Sequence, residues 1–277
     1  MSVYKKEKPE HLKRAIESVI NQTLQPSEIV IVKDGELTDE LDKVLDWFVN
    51  RYPSLFKIVP IPKQVGLGKA LAKGVLNCSY EIIARMDSDD ISHPERFEKQ
   101  IPFLLDHPEI DLVGSWISEF DDDEKNVYSF REVPTEPEEI KKFAKKRNPI
   151  NHMTVVFLKK AILSAGNYQS YLWFEDYHLW ARMLLKGYKF ANLPHYLVNV
   201  RGGDNMIARR VGVKYAILEM KLQKFFLEIG FINNFEFIRN VTSRFILRML
   251  PRKLALSLYK AFLRNRKKKI PVYPYGG

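Results

Sequence analysis

Short apolar runs that alternate with amphipathic helical patterns restrict the fold of this chain more than any other feature. The segment 29–32 is β-branched throughout and is closed by Asp34-Gly35, which predicts a buried strand that ends in a turn. Similar runs predict strands at 57–61 and 81–86, and patterns of helical spacing stand between them. Strands and helices in alternation favour an α/β fold with a parallel sheet covered on both faces. Ligands of such sheets bind just beyond the carboxyl ends of the strands.

The rest of the chain first mixes strands with helices and then becomes wholly helical. The elements predicted there are a helix from Pro94, a strand at 110–117, an exposed turn at 120–126, a helix near 137–146, a strand near 154–158 and a helix from Glu175 to Gly187. Beyond residue 205 the pattern is rich in Phe, Leu and Arg and shows no strand. We therefore place a soft domain boundary near residue 205.

Composition narrows the class of protein. With 277 residues and 45% apolar content the chain can bury a full core. The single cysteine, Cys78, excludes an internal disulfide and a cysteine metal array. No run approaches the about 20 apolar residues of a membrane-spanning helix. We expect a soluble or peripheral protein in a reducing cytoplasm.

The positive charge is concentrated at the C-terminal end. Residues 238–277 hold eleven Lys or Arg and no Asp or Glu, within a net charge of +10 for the chain. After Pro251, apolar and basic residues form neighbouring stripes of a predicted amphipathic helix. This helix is expected either to lie on an anionic membrane surface, such as the inner face of the plasma membrane, or to pack on the preceding domain. Nucleic acid is not an expected partner, because no recognised binding module accompanies the tail.

Three aspartates follow the predicted strand 81–86 directly. Asp87, Asp89 and Asp90 would crowd the edge of the sheet, where three ionised carboxylates repel one another. A hard divalent ion relieves that repulsion, and oxygen ligands select Mg²⁺ or Mn²⁺. A solvated acidic turn is the alternative, but the position after a central strand favours a metal site that also binds substrate phosphates.

Two further groups are candidates for the same edge. Asp34 is placed to accept hydrogen bonds from a base or ribose, or else it serves as a turn residue. Gly66 and Lys69 open a helix, where free amides and a lysine suit an anion, although two glycines before a helix are common.

A carboxylate pair begins the helix that starts near residue 175. Glu175 and Asp176 follow an aromatic stretch, and a carboxylate there could deprotonate an acceptor hydroxyl. Acidic side chains also stabilise the N-terminus of a helix by interacting with its dipole, and this explains the pair equally well. His152 and His178 could assist, but a structural role is the simpler expectation for each.

Several separated motifs occur in an order that is more specific than any one of them. They are Ser2-Val3-Tyr4, 15–24, 28–35, 84–91, Asn151-His152 and Glu175-Asp176-Tyr177. With these motifs the chain resembles the family 2 glycosyltransferases with the A-type fold, and more narrowly the bacterial enzymes of exopolysaccharide and O-antigen assembly, such as the amylovoran enzymes. The resemblance runs from residue 1 to about residue 210.

The resemblance implies a GT-A fold, which is a Rossmann-like αβα sandwich with a mainly parallel mixed sheet. The catalytic domain would span 1–205, with a nucleotide-sugar-binding part at 1–118 and an acceptor-binding part at 119–205. Residues 206–277 would form a helical, basic extension. Relatives usually have more of the first strand ahead of Ser2, so we expect a shortened first strand here.

The resemblance also assigns roles to individual residues. Asp34 would hold the nucleotide base, Asp87 would lie near the ribose, Asp89 would bind the metal, with Asp87 beside it, and Asp90 would lie close to the donor sugar. The residues assigned to the donor site are Val3, Tyr4, Asp34, Gly66, Lys69, Arg85, Asp87, Ser88 and Asp90. One departure is Lys33, where many relatives have Asp, so that Asp34 stands alone.

The implied reaction is an inverting, metal-dependent transfer from a nucleoside-diphosphate sugar, expected to be a UDP-sugar. Asp176, with Glu175 beside it, would act as the base toward a glycan or a polyprenyl-diphosphate-linked glycan in bacterial surface polysaccharide synthesis. Arg209 and Arg210 are expected to add positive charge near the diphosphate. The alternatives are a sugar nucleotidyltransferase and a non-catalytic, membrane-bound scaffold of the same fold.

Overall fold

The computed structural model describes residues 1–202 and 212–249. Arg209, Arg210 and the predicted tail helix after Pro251 lie outside the described residues, so the expectations about them stay predictions. Within the described ranges, every helix is too short or too polar to cross a bilayer.

The first sheet is short and wholly parallel. It has the strand order β1-β2-β3, and its strands are β1 (Ser2–Val3), β2 (Ile29–Asp34) and β3 (Phe56–Ile61). The helices that connect and follow these strands are α1 (Pro9–Ile20), α2 (Asp39–Arg51) and α3 (Leu67–Asn77). Pro9 occupies the first turn of α1, where its missing N–H is not needed, and the Thr38 side chain caps α2. This part of the fold agrees with the alternating pattern.

The second sheet is mixed and differs from the simple expectation. Its strands are β4 (Ile82–Ala84), β5 (Ile91–Ser92), β6 (Leu112–Phe120), β7 (Val127–Arg131), β8 (Val156–Leu158) and β9 (Phe190–Arg201). Their order is β4-β8-β6-β9-β5, with β7 beside β6, and only β6 and β9 pair in parallel. The α/β class and the mixed sheet are confirmed. The expectation that the strand at 81–86 continues a parallel sheet is wrong, because β4 pairs antiparallel with β8.

The sequence pattern missed β9, the longest strand. Pro194 lies inside it, and the buried Asn192 and Asn199 interrupt the apolar alternation that marks a strand. The ladder between β6 and β9 accommodates the irregularity by register shifts around Trp116. β9 thereby carries Arg201 to the edge where the aspartates lie.

The remaining helices of the described ranges follow β5 along the chain. They are α4 (Arg96–Asp106), α5 (Pro137–Ala144), α6 (Lys159–Ser164), α7 (Glu175–Leu185), α8 (Val213–Glu228) and α9 (Asn234–Met249). The C-terminal helices are attached to the body by ring contacts, such as that of Tyr177 with Phe226 at 4.8 Å between centroids. The domain boundary near 205 falls between the described ranges and stays a prediction.

A largely apolar cavity of ≈ 490 Å³ lies between β2 and β4. Its walls include Val30, Val32 and Ile83, together with Met1. The Met1 ammonium donates a hydrogen bond to the Val30 carbonyl at 3.0 Å, and burial lowers its pKa to about 6. Strand β1 is two residues long. The two sheets meet here through side chains rather than through the hydrogen bonds of a strand ladder.

Candidate active site

The three aspartates converge in the turn between β4 and β5. Carboxylate oxygens of Asp87, Asp89 and Asp90 lie within 4.8 Å of one another. Burial and the neighbouring carboxylates raise the pKa of Asp89 to about 7 and the pKa of Asp90 well above its ordinary value. The negative charges that the sequence placed together therefore repel one another in the fold, at a cost that a cation would remove.

The oxygen atoms of this cluster are suitable ligands for a hard divalent ion. Asp90 is buried, and its Oδ2 has no hydrogen-bond partner among the described residues. A buried carboxylate oxygen without a partner is costly, and a bound cation is a common explanation. Three carboxylates with that orphaned oxygen match the ligands that Mg²⁺ and Mn²⁺ prefer.

Arg85 fixes the first aspartate of the cluster. Its guanidinium is buried and donates to both carboxylate oxygens of Asp87, with Nη1 at 2.8 Å from Oδ2. This two-point geometry orients the Asp87 carboxylate firmly. Arg85 was expected at the donor site; the structure shows its contact with Asp87, and contact with a donor stays a prediction.

Arg201 holds the other two aspartates and was missed at the sequence level. Its backbone N–H donates to Asp90 Oδ1 at 2.9 Å, and its Nε donates to the Asp89 carbonyl at 3.2 Å. The guanidinium also lies 4.6 Å from the centroid of the Phe120 ring. Because β9 was not predicted, nothing in the sequence pattern placed Arg201 at this edge.

Glu7 is a fourth carboxylate beside the cluster. The Ser88 hydroxyl donates to Glu7 Oε2 at 2.6 Å, and the Glu7 charge contributes to the raised pKa of Asp89. Of the two nearby residues expected to contact a nucleotide, Val3 has its side chain fully buried in the core, whereas Tyr4 is exposed. Contact of either with a nucleotide stays a prediction.

Asp34 binds the backbone of the loop before α3. It is buried, and its two oxygens accept the backbone N–H groups of Val65 and Gly66 at 2.7 and 3.0 Å. Gly66 has φ 88°, a conformation that glycine adopts without strain. The amide expected to bind an anion thus already has a carboxylate partner. Lys69 is exposed, and contacts of Asp34, Gly66 and Lys69 with a donor stay predictions.

The second part of the site is the N-terminus of α7. Glu175 is buried there, and burial raises its pKa to about 7. Gly68 of α3 packs against it so closely that a Cβ would come within 2.9 Å of Glu175 Cγ and 2.4 Å of the Gln169 carbonyl oxygen. Helices α3 and α7 meet at this glycine, which was not singled out in the sequence.

Asp176 is held by neutral hydrogen-bond donors. Asn148 Nδ2 donates to Asp176 Oδ2 at 2.6 Å, and the Tyr177 N–H donates to Oδ1 at 2.7 Å. Burial raises the pKa of Asp176, while these hydrogen bonds lower it in part. The carboxylate is therefore fixed in position and still able to accept a proton.

Asn148 is itself held in one orientation. Its Oδ1 accepts the Ile150 N–H at 3.2 Å, which leaves Nδ2 to face Asp176. Arg131 donates to the Asn148 carbonyl at 2.9 Å and also to the side chain of Asn151. Asn148 and Arg131 were not predicted from the sequence, because only the folded chain brings them close to Asp176.

The histidines have structural roles. His152 Nε2 lies 2.9 Å from the Tyr168 hydroxyl, and burial lowers the pKa of His152 well below its usual range. His178 is stacked between Tyr171 and Phe225, at 4.6 and 4.2 Å between ring centroids, and burial lowers its pKa to about 4. Both imidazoles are therefore neutral at physiological pH.

Electrostatic influence connects the two parts of the site. The Arg85 charge lowers the pKa values of both Asp89 and Asp176. The charges of Asp87 and Asp176 both act to raise the pKa of Tyr168, after the larger effect of burial. The segment 148–155 links the two parts, because the Arg85 N–H donates to the Val155 carbonyl at 2.9 Å and Asn148 donates to Asp176.

Comparison with known proteins gives the family. The model of glycosyl transferase family 2 matches residues 1–165. The chain belongs to this family. It is a glycosyltransferase, and the resemblance inferred from the motifs is confirmed. The match does not support the two alternatives, which were a sugar nucleotidyltransferase and a non-catalytic scaffold.

Named relatives of this family 2 glycosyltransferase span nearly its whole length. An uncharacterized glycosyltransferase of Haemophilus influenzae is 42% identical over 96% of this chain and 98% of its own. The amylovoran biosynthesis glycosyltransferase AmsE of Erwinia amylovora is also 42% identical, over 94% and 96%. The UDP-Gal:alpha-D-GlcNAc-diphosphoundecaprenol beta-1,3-galactosyltransferase of Escherichia coli is 34% identical over 96% and 95%.

Solved structures confirm the GT-A fold. A mannosyltransferase of Pyrobaculum calidifontis in complex with GDP-Man and Mn²⁺ superposes with a TM-score of 0.62 at 14% identity, covering 94% of this chain and 71% of that one. TarS of S. aureus in complex with UDP-GlcNAc gives 0.61 at 15% identity, with the same coverage. At this identity the likeness concerns the fold alone.

Proposed function

We propose that this glycosyltransferase transfers a sugar, with inversion, from a nucleoside-diphosphate sugar to a lipid-linked glycan in the assembly of a bacterial surface polysaccharide. The observation that carries the proposal is that the segment 148–155 connects two kinds of carboxylate: the repelling cluster of Asp87, Asp89 and Asp90, and the fixed Asp176. The first suits a cation with a diphosphate, and the second suits a base.

The donor half of the proposal rests on the cluster. Asp89 and Asp87 would hold Mg²⁺ or Mn²⁺, with Asp90 facing the donor sugar and Arg85 orienting Asp87. The ion, when bound, would act as a Lewis acid that stabilises charge on the departing diphosphate. Support comes from solved structures of the same fold, one in complex with GDP-Man and Mn²⁺ and one in complex with UDP-GlcNAc.

The acceptor half rests on Asp176. Its carboxylate would take the proton of the attacking hydroxyl as that oxygen bonds to the anomeric carbon and the diphosphate leaves. Asn148 and the Tyr177 N–H hold the carboxylate in place for that transfer. Glu175 packs against Gly68 of α3 and suits a supporting role better than that of the base. A single base without a separate nucleophile fits inversion.

The acceptor class is drawn from relatives. The Escherichia coli relative is named for a diphosphoundecaprenol-linked acceptor and a UDP-Gal donor, and the Erwinia relative for amylovoran biosynthesis. A UDP-sugar is therefore the proposed donor. Such an acceptor lies at the inner face of the plasma membrane, where the basic residues 251–277 would hold the enzyme.

The test of the reaction is a panel of nucleoside-diphosphate sugars with Mn²⁺, read by thermal stabilisation and by the released nucleotide. A bound donor raises the melting temperature because it binds only the folded state. Release of nucleoside diphosphate supports transfer. Release of pyrophosphate from a nucleoside triphosphate and a sugar phosphate would instead identify a nucleotidyltransferase.

The test of the membrane tail is deletion of residues 251–277. The shortened protein should bind anionic vesicles more weakly than the full chain, and high salt should release the full chain because surface charges are screened. Equal binding by both proteins in co-sedimentation would remove the tail from the proposal.

A further inference from the structure

Helix α9 presents a stripe of exposed apolar side chains. Phe235 is 74% exposed, Ile238 is 64% exposed and Phe245 is 46% exposed. Their spacings of three and seven residues place all three on one side of a helix. Large apolar side chains that lie together on a surface are typical of an interaction site.

Polar contacts fix which side of α9 faces outward. Asn240 is buried on the inner side and donates to the Lys145 carbonyl and to Gln223 Oε1, both at 2.8 Å. Arg244 forms an ion pair with the buried Glu219 at 2.7 Å. Rotation of α9 to hide the stripe would break these buried contacts. The outward position of the stripe is therefore built into the fold.

The charges around the stripe indicate the chemistry of its partner. The nearest acidic residues, Glu219 and Glu236, are already paired, with Arg244 and with Lys145. From Ile238 to the C-terminus the chain has eleven Lys or Arg and no acidic residue. An apolar stripe that leads into a basic segment fits a surface that is anionic outside and apolar beneath, which describes an anionic bilayer.

We propose that α9 lies in the interface of an anionic bilayer, with Phe235, Ile238 and Phe245 inserted among the acyl chains near the headgroups. The acyl chains of a bilayer would take up the apolar stripe while its anionic headgroups attract the basic segment, so the bilayer explains both features of the site. The inference extends the proposed function, since it brings the enzyme to the surface where a lipid-linked acceptor lies. Its apolar stripe lies on α9, whereas residues 251–277 supply most of the basic charge on which it also depends.

The first test places a probe on the stripe. Cys78→Ser removes the native thiol, and Ile238→Cys then carries an environment-sensitive fluorophore in the full-length chain. The matched control is Leu105→Cys on α4, because Leu105 is 63% exposed against 64% for Ile238. The vesicles contain phosphatidylcholine with about one-third phosphatidylglycerol, and some acyl chains are brominated as quenchers.

The expected result is a blue shift and quenching of the probe at position 238 on addition of vesicles, with neither at position 105. A probe at 238 that is already shifted without vesicles, and stays unchanged when they are added, would show that the protein's own tail covers the stripe. A shift that follows protein concentration without lipid would show a second copy of the chain. Either of these results overturns the bilayer proposal.

The second test removes the apolar groups. Phe235→Ser, Ile238→Ser and Phe245→Ser are combined in one variant, and Trp47→Ser, Leu76→Ser and Leu105→Ser in a control with comparable exposed apolar area. Vesicle binding should weaken about tenfold in the first variant only, because apolar burial adds to the charge attraction. Equal binding by both variants would overturn the proposal.

The same variant separates this inference from the proposed reaction. Transfer to a soluble acceptor analogue should be unchanged in the stripe variant, since α9 does not touch the carboxylates of the site among the described contacts. Vesicle binding that depends on the stripe, in a protein that transfers no sugar, would leave the inference standing and overturn the proposed function.

Discussion

The two carboxylate regions of this site are built in opposite ways. Asp89 and Asp90 face like charges, and one oxygen of Asp90 has no partner among the described residues. Asp176 has neutral donors on both of its oxygens. The first region retains a repulsion that a cation would relieve, whereas the second is held by the protein's own hydrogen-bond donors. Removal of a carboxylate from the first region and removal of a hydrogen-bond donor from the second should therefore have different effects.

Asp89→Ala should have the largest effect. Loss of a metal ligand should lower the transfer rate about 10⁴-fold, because the stabilisation of the leaving diphosphate is lost. The increase in melting temperature caused by Mn²⁺ with the donor should also disappear, as measured by differential scanning fluorimetry with EDTA as the metal-free reference. An undiminished Mn²⁺-dependent increase would show that the cation binds elsewhere.

Asp176→Asn should lower the transfer rate about 10³-fold while leaving donor binding intact. Asparagine has the same shape but cannot accept the proton. The measurements are single-turnover transfer and donor-induced thermal stabilisation. Glu175→Gln is the matched control, and it should lose much less activity, because the Glu175 side chain packs against Gly68 of α3. The opposite ranking of the two variants would make Glu175 the base.

Asn148→Ala should change the pH dependence of the rate. Asp176 acts in its ionised form, so activity falls as the pH falls through its pKa. The Asn148 hydrogen bond lowers that pKa, and its removal should raise the pKa and move the acid limb of the pH–rate profile to higher pH. The rate at the optimum should fall about tenfold, as expected for a hydrogen bond to a charged group.

The control for Asn148 is Asn77→Ala. The Asn77 side chain donates to the Lys73 carbonyl at an exposed position on α3. Its replacement should leave the pH–rate profile unchanged. A profile of Asn148→Ala that overlays the profile of the unmodified enzyme would show that Asp176 does not depend on Asn148.

Gly68→Ala should have the smallest effect on the reaction and a measurable effect on stability. A Cβ at Gly68 would lie 2.4 Å from the Gln169 carbonyl oxygen, so α3 and α7 would have to move apart. We expect a loss of about 2 kcal/mol in the free energy of unfolding, measured in urea. Gly74→Ala in the same helix is the control, because its Cβ would meet only Val32 Cγ2, at 3.2 Å. Equal losses would contradict a special role for Gly68.

Local pattern accounts for much of this fold. The β-branched run before Asp34 predicted β2, and the helical spacing between the predicted strands predicted α2 and α3. The acidic turn was placed correctly because the end of a strand is visible in the sequence itself. The antiparallel pairing of β4 with β8 was not visible, because pairing depends on residues more than 70 positions away. Strand β9 was hidden by Pro194 and two buried asparagines.

The sequence by itself determined the family and the α/β class, and it supplied the carboxylates proposed for the site. Only the tertiary structure decided which groups hold those carboxylates. Arg201 reaches Asp90 across 111 positions, Asn148 reaches Asp176 across 28, and Gly66 reaches Asp34 across 32. The physical reason is range: periodicity and turn signals depend on neighbouring residues, whereas a buried charge is stabilised by whatever donors the folded chain brings to it.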